Sequence, residues 1–222
     1  MSPRVIVLPD PVRAAPDDGW ARDVAETLRA GGVAILPTDT VYGLCCAASR
    51  RDAFERLYEI KERPADKAMA VIVSSWDALE GMTRLEAWQK ALFADVLPGA
   101  LTFVVRATKQ APPHLVSGGG TIAFRVPDSK PILAVAASLG EPIVATSANV
   151  SGQPAPASVD EIDPRIVTAA DVVVDAGVCP RGVASTVVDL TTDTPSVVRE
   201  GAVEAREILA AIERARKRAR EP

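Results

Sequence analysis

The sequence predicts an α/β protein, one domain built on a twisted mixed sheet. Three observations carry this. Short apolar runs such as "VAILP", "AMAVIVSS" and "PIVATS" show no polar alternation, as strands buried on both faces do. Longer segments between them repeat their apolar residues at helical spacing. Near the C-terminus three strand-like runs follow one another with no helix between, which favours a mixed sheet over a doubly wound parallel one.

In chain order, "RVIVLP" reads as a first strand. "DDGWARDVAETLRAGG" reads as a helix with Trp20, Val24 and Leu28 on one face and Gly31-Gly32 as its stop. "VAILP" is the next strand. "SRRDAFERLYEIKER" is a helix with Phe54, Leu57 and Tyr58 as its stripe and Pro64 just past its end. After the strand "AMAVIVSS" comes a helix over "RLEAWQKALFADVLPG", using Leu85, Trp88, Leu92 and Val96. "ALTFVVRA" and "TIAFRVP" are strands separated by the Pro/Gly-rich "QAPPHLVSGGG". The helix "SKPILAVAASLG", the strand "PIVATS" and three short strands, "DVVVDAG", "STVVDL" and "PSVVRE", follow. The last helix, "AVEAREILAAIERARKRAR", turns Val203, Ile208, Leu209 and Ile212 to one side. The organisation expected is a main domain over 1–202 and a basic helical extension over 203–222.

Composition narrows the function. The 222 residues are 48% hydrophobic and 24% charged, which suits a soluble folded protein. Aromatics make up only 4%, against a protein that stacks bases on aromatic platforms. Net charge is -4, so the molecule is no polycation, yet Arg214, Arg216, Lys217, Arg218 and Arg220 crowd the C-terminal helix. Such a run is either a solvated helix end that suits the helix dipole or a contact for RNA or an acidic partner. Cys45, Cys46 and Cys179 support neither a disulfide framework nor a zinc site, and the single His114 lies in a proline-rich loop. With no signal pattern and no long apolar run, the expected location is a reducing cytoplasm, with no membrane partner.

Polar residues recur at strand ends, where ligand groups converge in α/β proteins. They are "PTDTVYG" after the second strand, Lys61, Arg63 and Lys67 in "IKERPADK", Thr121 and Arg125 in "GGGTIAFR", Thr146, Ser147 and Asn149 in "VATSANVSGQP", Ser185-Thr186, and Arg199. Hydroxyls, an amide, cations and a glycine-rich loop suit a phosphate or carboxylate ligand. Walker A and G-x-G-x-x-G motifs are missing from the sequence. Each piece alone has a bland explanation. "SAN" suits a turn, "KER" a helix end, "GGG" a loop, and the two arginines structural ion pairs.

Their combination and order resemble the threonylcarbamoyl-AMP synthase family, the YrdC-type domain. The likeness runs from Gly31 to Gly201 through "PTDTVYGL", "KERP", "LPGALTFV", "TIAFRVP", "SANVSGQP", "STVVDL" and "VVREG". It implies a twisted mixed sheet around a concave cavity. It also implies a nucleotidyltransferase that joins L-threonine, bicarbonate and ATP into threonylcarbamoyl-AMP and pyrophosphate. The product is passed to a threonylcarbamoyl transferase complex that modifies tRNA. By the same resemblance Thr38, Arg125 and Ser185 hold threonine. Arg63, Lys67, Thr121, Ser147, Arg199 and the backbone near Ala155 line the nucleotide, and Lys61, Arg63, Ser147 and Asn149 form a tetrad around the phosphates. Mg2+ is expected with ATP, without a protein metal site. Asp39 and Thr40 are expected only to shape their turn. Ala68 stands where the family often has proline, and "GLCCAA" replaces a more usual glycine-containing stretch. The alternative is a YrdC-like module that binds RNA without a reaction of its own.

Overall fold

Eleven strands and six α-helices form among the residues that the computed structural model describes, 2–11, 14–15, 17–64 and 67–220. The strands are β1 (Arg4–Val7), β2 (Ala34–Leu36), β3 (Gly43–Ala47), β4 (Ala70–Ile72), β5 (Thr83–Arg84), β6 (Leu101–Ala107), β7 (Thr121–Arg125), β8 (Ile143–Ser147), β9 (Val172–Asp175), β10 (Thr186–Asp189) and β11 (Ser196–Arg199). The helices are α1 (Gly19–Arg29), α2 (Arg51–Lys61), α3 (Ala87–Val96), α4 (Lys130–Leu139), α5 (Pro164–Ala169) and α6 (Ala205–Arg218). All strands join one mixed sheet in the order β1-β9-β2-β3-β8-β4-β7-β6-β10-β11, with β5 on β6.

Side chains alternate across a strand, so register decides which residues share a face. One face carries Ile35, Leu44, Val71, Phe103, Val105, Phe124, Val144 and Val188, and it packs against α2, α3 and α6 as the larger core. Phe93 of α3 lies 4.9 Å from Phe103 and 5.1 Å from Phe124, ring centre to ring centre. The other face is divided. Over β9, β2, β3 and β8 it shows Ala34, Leu36, Cys45, Ala47, Ile143 and Val172, under Val24 and Leu28 of α1 and Val135 and Leu139 of α4. Burying each of those larger side chains stabilises the fold by about 1.5–3 kcal/mol. Over β4, β7, β6, β10 and β11 the same face shows Ala70, Ala123, Arg125, Thr102, Val187 and Arg199. Ala70 and Val187 are half-buried and Arg199 is exposed. No helix among the described residues is long and apolar enough to cross a membrane.

Several expectations change. β3 was not expected as a strand, because its sequence, Gly-Leu-Cys-Cys-Ala, lacks β-branched residues. It pairs antiparallel with both β2 and β8, and all five of its residues are buried. Leu85 lies outside α3, because that helix starts at a capping box in which the Glu86 amide donates to Gln89 Oε1 at 2.8 Å. In α6, Ile208 and Ile212 are buried with Ala211 and Ala215, but Leu209 is 38% exposed and off the packed stripe. Of the basic run, Arg216 stacks 4.4 Å over Trp88 and Arg218 pairs with Asp95, so two of its cations serve the packing of α6 on α3.

Candidate functional site

Cross-strand pairing assembles the site. Phe103 of β6 faces Phe124 of β7, so the next residues, Thr102 and Arg125, lie together on the opposite face. Val187 pairs with Thr102 on one side and Arg199 on the other. In β11 the register slips: Val188 pairs with Val197 but Val187 with Arg199. Val198 is the extra residue of a bulge, and this re-aims Arg199 to the side of Thr102 and Arg125. Arg199 then donates to the Ser185 carbonyl at 2.7 Å, and the Ser185 and Thr102 hydroxyls lie 2.8 Å apart. Gly201 lets the chain leave β11 here, since a Cβ on it would stand 2.2 Å from the Ala184 carbonyl oxygen.

Arg125 is 6% exposed and anchored on three sides. It donates to Asp39 Oδ1 at 2.6 Å, to Thr40 Oγ1 at 2.6 Å and through Nε to the Gly99 carbonyl at 3.3 Å. A guanidinium has five N–H groups, so two remain for a ligand. Burial lowers the Arg125 pKa most, the Asp39 carboxylate opposes this, and the charges of Arg181 and Arg199 lower it further. Arg199 is likewise lowered, by burial and then by Arg63. The charges of Arg63, Arg125, Arg181 and Arg199 are therefore felt across one region, and Asp39 answers Arg125 from within it. Arg181 was not singled out in the sequence; its amide donates to the Asp39 carbonyl at 3.2 Å.

Asp39 and Thr40 correct the expectation that they only shape a turn: both hold Arg125. The overlooked signal is that a buried arginine needs a nearby counter-charge. Thr38 shapes the turn instead. Its hydroxyl lies 2.6 Å from the Val41 carbonyl and 2.9 Å from Thr40 Oγ1, and it accepts from the amides of Thr40 and Val41 at 3.1 and 3.2 Å. Tyr42 fixes the wall behind, donating to the Gly177 carbonyl at 2.8 Å and accepting from the Ala176 amide at 3.0 Å.

Lys61 is the second correction. A lysine ending a helix before proline was expected to turn outward toward an anion, yet Lys61 is 1% exposed. Its Nζ donates to the Ser147 carbonyl, to the Asn149 carbonyl at 2.7 Å and to Asn149 Oδ1 at 3.2 Å. Asn149 Nδ2 in turn donates to the carbonyls of Val150 and Gln153 at 2.9 and 2.7 Å. Lys61 and Asn149 thus lock the loop after β8. Burial, then Arg63, push Lys61 down to about 7. Arg63 follows a left-handed Glu62 (φ 51°) and donates to the carbonyls of Lys67 and Ala68 at 3.1 and 2.7 Å, lacing the loop to β4. The Lys67 side chain is exposed, and Ala155 is half-buried in the loop after β8. Thr121 starts β7 two rows from Arg125 on the same face, its hydroxyl 2.5 Å from that of Ser117. His114 has a packing role, with Nε2 2.8 Å from the Ala48 carbonyl and its ring against Phe54.

A sheet face of hydroxyls and alanines, ringed by arginines, defines a protein that binds small anionic ligands. The Sua5/YciO/YrdC family model, described by the words telomere recombination, matches residues 26–201. The chain belongs to that family. It is 35% identical to the threonylcarbamoyl-AMP synthase of Bacillus subtilis over 202 residues, covering 88% of this chain and 57% of the relative. Among solved structures, Pyrococcus abyssi Sua5 complexed with L-threonine superposes with a TM-score of 0.85 at 30% identity, over 96% of this chain and 61% of that one. Escherichia coli YciO superposes with a TM-score of 0.82 at 28% identity, over 93% and 99% of the two chains. The chain thus spans less than two thirds of the length of the Bacillus and Pyrococcus proteins.

Proposed function

We propose that this chain makes threonylcarbamoyl-AMP and pyrophosphate from L-threonine, bicarbonate and ATP. The observation that carries the reading is the row Arg125, Thr102, Ser185 and Arg199, in a family whose Bacillus member bears the name of that synthase and whose Pyrococcus member is known with L-threonine bound.

Threonine's amine joins bicarbonate to give a carbamate, releasing water. A carbamate oxygen then attacks the α-phosphorus of ATP, and the bond to the β-phosphate breaks as pyrophosphate leaves. No side chain becomes covalent. Arg125 offers its two remaining N–H groups to the threonine carboxylate, with the Ser185 hydroxyl beside it. Arg63 and Arg199 face the phosphates, with Lys67, Thr121, Ser147 and the backbone near Ala155 along the nucleotide. Lys61 and Asn149 act by holding the loop that carries Ser147 in one geometry. Charge growing on the leaving pyrophosphate meets fixed cations and needs no reorganisation at the moment of reaction. The donor set is cationic and hydroxylic, and its carboxylate, Asp39, is committed to Arg125. Such a set suits phosphate better than a metal ion, so Mg2+ would be held by ATP.

The product, a mixed anhydride, calls for a transferase complex that moves the threonylcarbamoyl group to tRNA in the cytoplasm; the basic face of α6 is a candidate tRNA contact. The test is pyrophosphate release with ATP, L-threonine and bicarbonate, with L-serine as control. Release that requires threonine is expected. None, together with tight tRNA binding, would favour an RNA-binding module.

A further inference from the structure

Asp39 holds an oxygen with nothing to do. Its side chain is 5% exposed; Oδ1 receives Arg125, whereas Oδ2 is buried without a hydrogen-bond partner. A buried carboxylate oxygen left empty is costly, and native proteins rarely keep one without a use. Asp39 also lines a cavity of about 260 Å3 with Thr38, Ser129, Gly177 and Cys179, so free volume reaches this residue. The segment packed over it is fastened lightly. The Arg181 amide reaches the Asp39 carbonyl at 3.2 Å, and the glycines on either side, Gly177 and Gly182, have φ of 74° and 63°.

Resting on the amino-acid reading above, we propose that Asp39 is a binding residue: its free oxygen receives the ammonium group of the amino acid whose carboxylate lies on Arg125. The two ends of an α-amino acid are adjacent, and so are the guanidinium and the free oxygen on either side of the Asp39 carboxyl carbon. The acid that orients Arg125 thereby reads the other half of the zwitterion. Arg125 alone would accept any small carboxylate; Asp39 selects those that carry an amine. Sealed from water, such a charged hydrogen bond discriminates strongly, because a ligand lacking the amine leaves the oxygen empty.

The test measures binding of L-threonine and of β-hydroxybutyrate, its des-amino analogue, by calorimetry on the full chain. Wild-type protein is expected to prefer threonine by about 10-fold or more, the scale of a hydrogen bond to a charged group. Asp39→Asn keeps an oxygen for Arg125, and is expected to lose that preference while holding the analogue nearly as well as wild type. Thr40→Ala supplies the control, since Thr40 holds Arg125 without a carboxylate; it should weaken both ligands alike and keep the preference. Equal affinities in wild type overturn the proposal, whatever the variants do. Equal losses of both ligands in Asp39→Asn also overturn it, leaving Asp39 a support for Arg125 with a buried water on Oδ2. Wild-type protein that binds no threonine overturns the amino-acid reading itself, and the inference with it.

Discussion

The two halves of one sheet face invite comparison. Under α1 and α4, the alternate positions of β2, β3 and β8 hold Leu36, Cys45, Ala47 and Ile143, and the face is core. A few strands along, the same alternation brings up Ala70, Ala123, Arg125 and Thr102, and the face becomes a site. Backbone and pleat are continuous between them. What differs is the side chains that alternate, and that difference decides whether the surface attracts a helix or a ligand.

Removing the arginine should break the contrast most severely. Arg125→Ala leaves Asp39 as an uncompensated buried charge. It is expected to destabilise the chain by about 3–5 kcal/mol in denaturant melts, with threonine-dependent turnover lost in whatever remains folded. In the covered half, Leu28→Ala should cost about 3 kcal/mol through the cavity it leaves. Threonine affinity per folded molecule should stay at the wild-type value; a matching loss of affinity would show that the halves are coupled.

Lys61 sharpens the comparison through pH. Its folded-state pKa is lowered to about 7 from an ordinary 10.5, so between those values the unfolded chain binds more protons than the native one. Wild-type stability should therefore rise with pH across that window relative to Lys61→Met, and fall as pH drops through 7. The slope is at most about 1.4 kcal/mol per pH unit. Parallel denaturation midpoints for the two proteins at pH 7, 8 and 9 would refute it. The smallest effect is expected from Thr102→Val, which takes one partner from the Ser185 hydroxyl while Arg199 still reaches the Ser185 carbonyl. About 1 kcal/mol of stability should go, with threonine affinity falling further than a change of that size in the covered half would cause.

The helices were legible where apolar spacing was regular, as in α1 and α2, because a 3.6-residue stripe survives in one dimension. β3 was not, since its small residues owe their strand state to neighbours on both sides. In the site, sequence order pointed to Arg125, Ser185 and Arg199, which the structure brings together. It could not show that Lys61 turns inward, because that depends on three oxygens more than 80 positions away. The partnership of Asp39 and Thr40 with Arg125 spans a similar distance in sequence and escaped notice for the same reason.

The bulge at Val198 bears on how such a protein would lose its activity. Substitutions erode a site one contact at a time. Deleting a single residue from β11 would reverse the parity of the strand and swing Arg199 from the ligand toward the side of Val188 and the large core. A relative could then keep every recognisable motif and still be silent, its defect written in spacing and not in letters.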